Sequence, residues 1–385
     1  MYELFVVASG EARQPGCIRI DLGMETIKIG FVLLSNSKHA APSTRIAVLN
    51  MLPFLCEAGF DPHIVFEPMP GADSKTPDVT AVAQKVIAEG IQIVLIQKVR
   101  GSSILELTRL LSAAGVKTIY QVCDLVDPEM VAATDLTTTT TEYLKTLYPP
   151  KLQDRIRVVH DGIEHSEERK TDWSTHRSTR WNPLRAVLVT SLSLDALPVL
   201  STLPEWLSVT VVGRYSPGGM SLRRLREILW KFSDINDRVG KLNYLRFLST
   251  RRIRLVGWDP VGVYEHMRVA DIGIIPVDTS PDFDPELKQP SFWQVKSENR
   301  LSMKMCIGLP VIATPIPSYE PLIEQGKNGF LANSLDEWLD CLNILRDPAI
   351  RRDIGERARA SVALQFSMSE QARLLVSVLR EVLET

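Results

Sequence analysis

The chain has 385 residues and a mass of 43.1 kDa, about two to three times the size of a common single domain, which predicts two domains. Apolar residues make up 45% of it and charged residues 23%, a globular composition that excludes the disordered, collagenous and disulfide-scaffold classes. With 44 Lys and Arg against 46 Asp and Glu the formal net charge is -2, so no overall field attracts nucleic acid or anionic lipid.

The cysteines and the N-terminus bear on the cellular compartment. The 5 cysteines are scattered, odd in number and without a C-x-x-C pair, which predicts neither a disulfide framework nor a zinc site. No apolar run approaches the roughly 18 residues of a membrane span. The N-terminus also lacks the basic start of a signal peptide. We therefore expect a cytoplasmic protein.

In the first half of the chain, short β-branched apolar runs alternate with helical patterns. This alternation is typical of βαβ units and a parallel sheet. The predicted strands are 26–34, 60–66, 91–96, 118–122 and 156–159, and the predicted helices between them are 45–58, 103–114 and 141–148. The threonine run Thr137–Thr141 predicts a further strand that leads into a helix cap.

A polar stretch without periodicity, 165–183, predicts the domain linker. The alternation then resumes, with strands predicted at 185–190, 207–213, 253–257, 271–276 and 309–314. From 347 to 385 the pattern is helical only. We therefore predict a Rossmann-like N-terminal domain at 1–170, in which 1–25 remain uninterpreted, a second at 184–360, and a C-terminal helix at 361–385 that packs back on the first.

Two such domains would face their binding loops across a cleft, because ligands of open parallel sheets bind outside the carboxyl ends of the strands. The G-x-G-x-x-G fingerprint is missing after the first strand, and a Walker A loop is absent as well. Hydride transfer and P-loop phosphoryl transfer are therefore disfavoured. No cluster of His, Cys and carboxylates has the spacing of metal ligands.

Several stretches resemble a known family in order and spacing. They are Lys296–Thr314 continued by Gly326–Leu331, Val256–Trp258, Ala270–Pro276 and Arg157–Glu164. Together they resemble the nucleotide-binding core of GT-B glycosyltransferases, particularly family four. The resemblance implies an α/β GT-B fold, with two Rossmann-like domains facing across a cleft and C-terminal helices crossing back. It also implies a nucleotide-sugar donor on the C-terminal domain, a hydroxyl acceptor on the N-terminal one, and retaining, metal-independent transfer without a cofactor.

Lys296 and Arg300 are the leading candidates for the donor diphosphate. They lie four residues apart just ahead of an apolar helix pattern, so both are expected to face one way. Two cations and a helix N-terminus would stabilise a leaving diphosphate, and the guanidinium adds a bidentate fork. Further donor contacts are expected from Arg214, Gly257, Trp258, Asn299, Ser318, Tyr319 and Glu320.

The sequence departs from the family pattern at two places. Val295 and Met303 stand where the family has paired glutamates, and the nearby Glu298 is expected to point elsewhere on the helix. Pro317-Ser-Tyr-Glu-Pro stands where the family has a Gly-Gly-x-x-Glu loop, which brings Glu320 one position early.

On the acceptor side, His39 and Arg45 lie in the loop and helix start after the first strand, and Lys98 follows a buried strand. Asp124 follows the next strand and is predicted to be catalytic. The family often has a histidine near Cys123, and this chain does not. The adjacent pair His160–Asp161 is interpreted as structural, because neighbours on an extended chain face opposite ways.

The sequence thus predicts a hexosyltransferase acting on a glycan, lipid-linked or small-molecule acceptor, with no nucleic-acid partner. The basic amphipathic stretch Ser221–Phe232 is typical of a solvated helix, and it also fits a peripheral membrane contact. Two alternatives remain open. One is an epimerase-type GT-B enzyme acting on a nucleotide-sugar, and the other is a non-catalytic GT-B scaffold.

Overall fold

The computed structural model describes residues 26–70, 76–175, 178–190, 197–213, 222–280 and 289–385, within which lie two parallel six-stranded sheets. The first sheet contains β1 (Ile27–Val32), β2 (Phe60–Phe66), β3 (Ile93–Gln97), β4 (Lys117–Val122), β5 (Leu136–Thr139) and β6 (Ile156–Val158). The second contains β7 (Leu184–Val189), β8 (Leu207–Gly213), β9 (Ile253–Gly257), β10 (Ile272–Ile275), β11 (Val311–Ala313) and β12 (Phe330–Leu331). Each predicted strand is confirmed, and β12 is an addition to them.

Fifteen α-helices connect and cover these strands in the described residues. The first seven are α1 (Pro42–Ala47), α2 (Leu52–Glu57), α3 (Val79–Ala88), α4 (Ser102–Ala113), α5 (Pro128–Ala133), α6 (Glu142–Thr146) and α7 (Pro150–Gln153). The next five are α8 (Pro198–Ser201), α9 (Leu222–Asp234), α10 (Arg238–Ser249), α11 (Gly262–Val269) and α12 (Asn299–Ile307). The last three are α13 (Leu335–Ile344), α14 (Pro348–Val362) and α15 (Met368–Glu384).

The strand order reverses once in each sheet. The first sheet has the order β2-β1-β3-β4-β5-β6 and the second β12-β11-β10-β7-β8-β9. Neighbouring loops therefore leave in opposite directions between β1 and β3 and between β7 and β10, which opens a crevice at the carboxyl edge of each sheet. Helices cover both faces, and strands such as β3 are accordingly apolar and buried along their whole length.

The helix predicted at 45–58 is divided, which corrects the prediction. The structure has α1, a 3-10 turn at Leu49–Met51 and then α2. Pro53 accounts for the break, because proline has no N–H to donate to the carbonyl four residues earlier. The threonine run, by contrast, forms β5 as predicted, and the side chain of Thr141 caps α6 by accepting a hydrogen bond from the amide of Leu144.

Helix α15 packs on the first sheet. Its buried residues, among them Leu375 and Leu379, join a core cluster with Ile29 and Phe31 of β1. The chain therefore returns from the second sheet to the first, as the predicted GT-B architecture requires.

The predicted linker, 165–183, contains no helix or strand in its described part. It nevertheless packs against the second domain. Lys170 is buried there, and its Nζ donates hydrogen bonds to the carbonyls of Ala270 (2.6 Å) and Arg268 (3.1 Å). Elsewhere, Cys56 is disulfide-bonded, a pairing that the scattered spacing of the cysteines did not indicate.

Candidate active site between the two sheets

The candidate site lies where the carboxyl edges of the two sheets meet. Polar residues follow β3, β4 and β6 of the first sheet. Helix α12 connects the parallel strands β10 and β11, so it runs back along the sheet and its N-terminus lies at the carboxyl edge. Two side-chain hydrogen bonds join residues just before α12 to residues just after β6. The site is therefore built by both sheets.

The first of these contacts joins His160 to Glu298. The Nδ1 of His160 lies 2.6 Å from Oε1 of Glu298, and the side chain of Glu298 is only 3% exposed. Burial acts to lower the pKa of His160, but the hydrogen bond and charge of Glu298 outweigh it, and the pKa is raised above the ordinary 6.5. The carboxylate thus favours a protonated imidazole at the cleft.

The second contact joins Asp161 to Ser297, whose hydroxyl donates to Oδ2 of Asp161 at 2.6 Å. Burial raises the pKa of Asp161 to about 6, and the charge of Glu298 adds to the increase, although the Ser297 hydrogen bond opposes it. His160 and Asp161 do face different partners, as expected of neighbours on an extended chain. Both partners, however, belong to the segment that carries Lys296 and Arg300.

Lys98 and Asp124, both predicted on the acceptor side, form an ion pair with 2.7 Å between Nζ and Oδ2. Burial acts to lower the pKa of Lys98, but Cys123 and Asp124 outweigh it and the pKa is raised. The backbone of Lys98 has a φ of 60°, a left-handed conformation that costs energy for a residue with a side chain. A strained lysine beside a carboxylate at a strand end is a typical feature of a binding site.

Lys296 and Arg300 do not share a helix face, which corrects the spacing argument. Helix α12 begins at Asn299, so Lys296 precedes it. The Nζ of Lys296 lies 3.9 Å above the ring centroid of Phe292, and the side chain is largely buried. Arg300 lies in the first turn, and the side chain of the N-cap residue Glu298 makes no capping hydrogen bond. The two cations therefore belong to a loop and to a helix rather than to one helix face.

Lys304 follows one turn later on α12 and contributes little charge to the site. It is fully buried, and its Nζ donates to the carbonyl of Arg300 at 3.0 Å. Burial, together with the charge of Arg300, lowers the pKa of Lys304 to about 7.

The loop predicted to contact the donor sugar holds Ser318, Tyr319 and Glu320. Tyr319 is fully buried in a core cluster and Ser318 is nearly so, whereas Glu320 is exposed. The Ser318 and Tyr319 hydroxyls have no hydrogen-bond partner among the described residues. Burial raises the pKa of Tyr319 to about 12, although the charge of Arg300 opposes the increase.

Arg45 forms an ion pair that the sequence did not predict. Its Nε and Nη2 donate to the two carboxylate oxygens of Glu164 at 2.7 and 3.0 Å. Asn50 donates to the same carboxylate. The guanidinium also lies 4.9 Å from the ring centroid of Trp258, a predicted donor contact at the end of β9. This arrangement binds helix α1 to both the Arg157–Glu164 segment and the second sheet.

The remaining predicted residues are only partly placed. Gly257 ends β9 and is exposed beside Trp258. His39 is exposed in a 3-10 turn after β1, and Asn299 is half-buried at the first position of α12. Arg214 lies outside the described residues. Asn299 belongs to the Lys296–Arg300 segment itself, whereas Gly257 and His39 lie on other segments.

Sequence reasoning missed Glu164, Ser297 and Glu298 as members of the site and set His160 and Asp161 aside as structural. The signal for the last two was present, because they follow β6 just as Lys98 and Asp124 follow β3 and β4. The signal for Glu298 was not, since its partner is 138 residues away.

Within the described residues, no group of three or more His, Cys, Asp and Glu side chains could hold a metal ion. The helices described there include none with the length and apolar character needed to cross a membrane.

Two parallel sheets of reversed strand order, joined at their carboxyl edges and bridged by a returning C-terminal helix, define the GT-B fold. Solved structures of this fold are similar over nearly the whole chain. A glycosyltransferase from Rickettsia africae ESF-5 aligns with a TM-score of 0.64 at 13% identity, covering 94% of this chain and all of that one (100%). Sucrose-phosphate synthase from Thermosynechococcus elongatus aligns with a TM-score of 0.64 at 14% identity, over 93% and 99% of the two chains.

Anabaena HepE, solved in complex with UDP-glucose, aligns with a TM-score of 0.62 at 16% identity, over 92% of this chain and 100% of its own. These likenesses establish the fold. No protein-family model matches the sequence, and the search of curated proteins found no match either.

Proposed function

We propose that the chain is a glycosyltransferase that moves a hexosyl group from a nucleotide-sugar to a hydroxyl acceptor. The observation that carries the proposal is that Lys296 and Arg300 flank the start of α12, next to the two contacts that join this segment to His160 and Asp161. When the glycosidic bond to the diphosphate breaks, the electron pair goes to the phosphate oxygen. Cations and helix amides stabilise that charge.

Two buried hydroxyls support the same location for the donor. The Ser318 and Tyr319 hydroxyls lack partners among the described residues, and the charge of Arg300 acts to lower the pKa of the Tyr319 phenol. Buried polar groups are almost always hydrogen-bonded, so a ligand oxygen could supply the partner that these hydroxyls lack among the described residues. HepE, which shares the fold, has been solved with UDP and with UDP-glucose, and UDP-sugars are therefore the first donors to test.

On the acceptor side, the proposal assigns Asp124 to the acceptor hydroxyl. Its carboxylate is about one-third exposed (31%) at the end of β4 and is held by Lys98. Exposure lets an acceptor reach the carboxylate, and the ion pair fixes its orientation. Arg45, also predicted on this side, instead positions Glu164 and Trp258.

The finer features of the reaction are part of the proposal. Retention follows the family resemblance. Transfer without a metal is consistent with Lys296 and Arg300, which supply the positive charge that a divalent ion would otherwise bring to the diphosphate.

The test is a turnover assay of the purified full chain with UDP-glucose, UDP-galactose, UDP-N-acetylglucosamine and GDP-mannose. Each donor is incubated with and without a panel of sugar acceptors, and both free diphosphate and sugar products are measured. A transferase releases diphosphate in step with a new glycoside, and Asp124→Asn abolishes that release. A sugar epimer formed without acceptor would replace the proposal with the epimerase. Nucleotide binding without any turnover would favour the scaffold.

A further inference from the structure

Helices α9 and α10 carry a surface that the proposed function does not use. Six large apolar side chains are exposed on it: Leu229 (68%), Trp230 (68%), Val239 (68%), Leu242 (48%), Leu245 (50%) and Leu248 (41%). We call these six residues the α9–α10 surface. Exposed apolar residues that occur singly need no explanation, but a set of six on two consecutive helices does.

The orientation of α10 makes this exposure unusual. Tyr244 is buried and Phe247 packs against the core of the second sheet, so these two residues mark the inner face of the helix. At 100° per residue, Leu242 and Leu245 lie on the opposite side, and Val239 and Leu248 lie on the two flanks. A surface helix of a globular protein normally turns polar residues to that side. Helix α10 thus exposes two leucines on its outer face, between the basic residues Arg238 and Arg246.

The charges on α10 all have one sign. The charged residues among its 12 are Arg238, Lys241 and Arg246, and none is acidic. None of the three forms an ion pair with a described residue, and the Nζ of Lys241 lies 5.4 Å from the ring centroid of Phe232 in α9. The exposed Arg226 of α9 adds a further cation, and the exposed carboxylates nearby are Asp234 of α9 and Asp237, which accepts a hydrogen bond from the amide of Gly240 at the start of α10. This concentration of positive charge stands in a chain whose formal net charge is -2.

We infer that the α9–α10 surface docks on an anionic lipid bilayer. A helix with aliphatic residues and unpaired basic residues on one face can insert the former at the acyl boundary and place the latter against lipid phosphates. A second copy of this chain is a poorer occupant, because a two-fold contact would bring the same unpaired cations together. The inference is independent of whether a sugar is transferred.

The experiment is flotation of the full chain with vesicles of phosphatidylcholine alone and of phosphatidylcholine mixed with phosphatidylglycerol, at low and high salt. We expect binding to the anionic vesicles that weakens with salt, and little binding to the neutral ones. The variant Leu242→Glu/Leu245→Glu should lose roughly tenfold or more in partition coefficient, because it replaces buried aliphatic contacts with charges that anionic lipid repels. Arg238→Gln/Lys241→Gln should lose about fivefold per charge.

The matched control is Leu364→Glu, which changes an equally large and more exposed leucine (81%) at the end of α14 and should leave vesicle binding unchanged. All five substituted side chains are partly or largely exposed, so circular dichroism should report intact folding. Failure of the wild-type chain to float with anionic vesicles would overturn the inference, as would equal binding by Leu242→Glu/Leu245→Glu. A dimer in light scattering that this variant dissociates, without vesicle binding, would assign the surface to a second copy instead.

Discussion

The contact between His160 and Glu298 offers the sharpest test of how the two sheets are joined. The change Glu298→Gln keeps the size of the side chain and its ability to hydrogen-bond, but it removes the charge. Burial then acts on His160 without a compensating carboxylate, so its pKa should fall. The side chains are 20% and 3% exposed, so solvent screens the pair only weakly.

The magnitude follows from the type of hydrogen bond that is lost. A bond to a charged group contributes about 1.5–3 kcal/mol, and a neutral one about 0.5–1.5 kcal/mol. The substitution should therefore lower the free energy of unfolding by about 1–2 kcal/mol. Since about 1.4 kcal/mol corresponds to one pKa unit, the pKa of His160 should fall by roughly one unit.

The pH dependence has a definite direction. Because the folded chain raises the pKa of His160, the stabilisation is fully present below the ordinary value of 6.5 and is lost as the pH rises through the folded value. The difference between wild type and Glu298→Gln should thus be largest in mild acid and shrink above neutrality. Proton NMR of the imidazole measures the pKa, and denaturant unfolding at several pH values measures the stability.

The matched control is Glu167→Gln, which removes the carboxylate of a surface His–Glu pair with side chains 36% and 72% exposed. Its unfolding free energy should equal that of the wild type. An unchanged pKa of His160 in Glu298→Gln, or a destabilisation that does not depend on pH, would show that Glu298 does not raise the pKa of His160.

Three further substitutions test other contacts. Arg45→Lys should lower stability by about 1–3 kcal/mol in chemical denaturation, because lysine cannot make the bidentate contact with the largely buried Glu164. Gly355→Ala should cost at least about 1–3 kcal/mol by the same measurement, since its Cβ would lie 2.1 Å from the carbonyl oxygen of Gly308. The pKa of Asp161 is about 6, against an ordinary 3.8, so the folded chain binds this proton more tightly than the unfolded chain does. The contribution of Asp161 to the free energy of unfolding therefore falls as the pH rises from about 4 to 6, and Asp161→Asn should remove that part of the pH dependence.

Each of these three predictions has a control variant or an outcome that would contradict it. Arg109→Lys changes a bidentate pair with Glu106 that is exposed, so it should leave stability unchanged, and an equal loss in both variants would contradict the burial argument. A Gly355→Ala protein as stable as wild type would show that α14 does not approach Gly308 so closely. A pH profile of Asp161→Asn that parallels the wild type would exclude Asp161 as the titrating group.

The strands could be predicted from the sequence because parallel strands covered on both faces are continuous apolar runs. The break in the helix at 45–58 could also have been predicted, since Pro53 lies within it and proline interrupts helical hydrogen bonding. Local chemistry was sufficient for these features.

The contacts within the site could not be predicted in the same way. His160 and Glu298 belong to different sheets, and their contact depends on how the two sheets are arranged. Arg45 pairs with Glu164 for the same reason, although the sequence indicated an arginine facing the cleft. The burial of Lys304 depends on the space beside Gly273, where an added Cβ would lie 3.0 Å from Cδ of the lysine. No local sequence pattern indicates that this space exists.

The proposed function requires that the Lys296–Arg300 segment bind a nucleoside diphosphate. Isothermal titration of UDP, GDP and dTDP into wild type, Lys296→Ala/Arg300→Ala and the control Lys327→Ala/Arg352→Ala tests it directly, because the control removes the same two residue types from exposed positions. We predict that one diphosphate binds the wild type and the control equally, and the site variant about 100-fold more weakly, as expected for two lost contacts to charged groups. Binding of none of the three, or equal binding to all three proteins, would contradict the account.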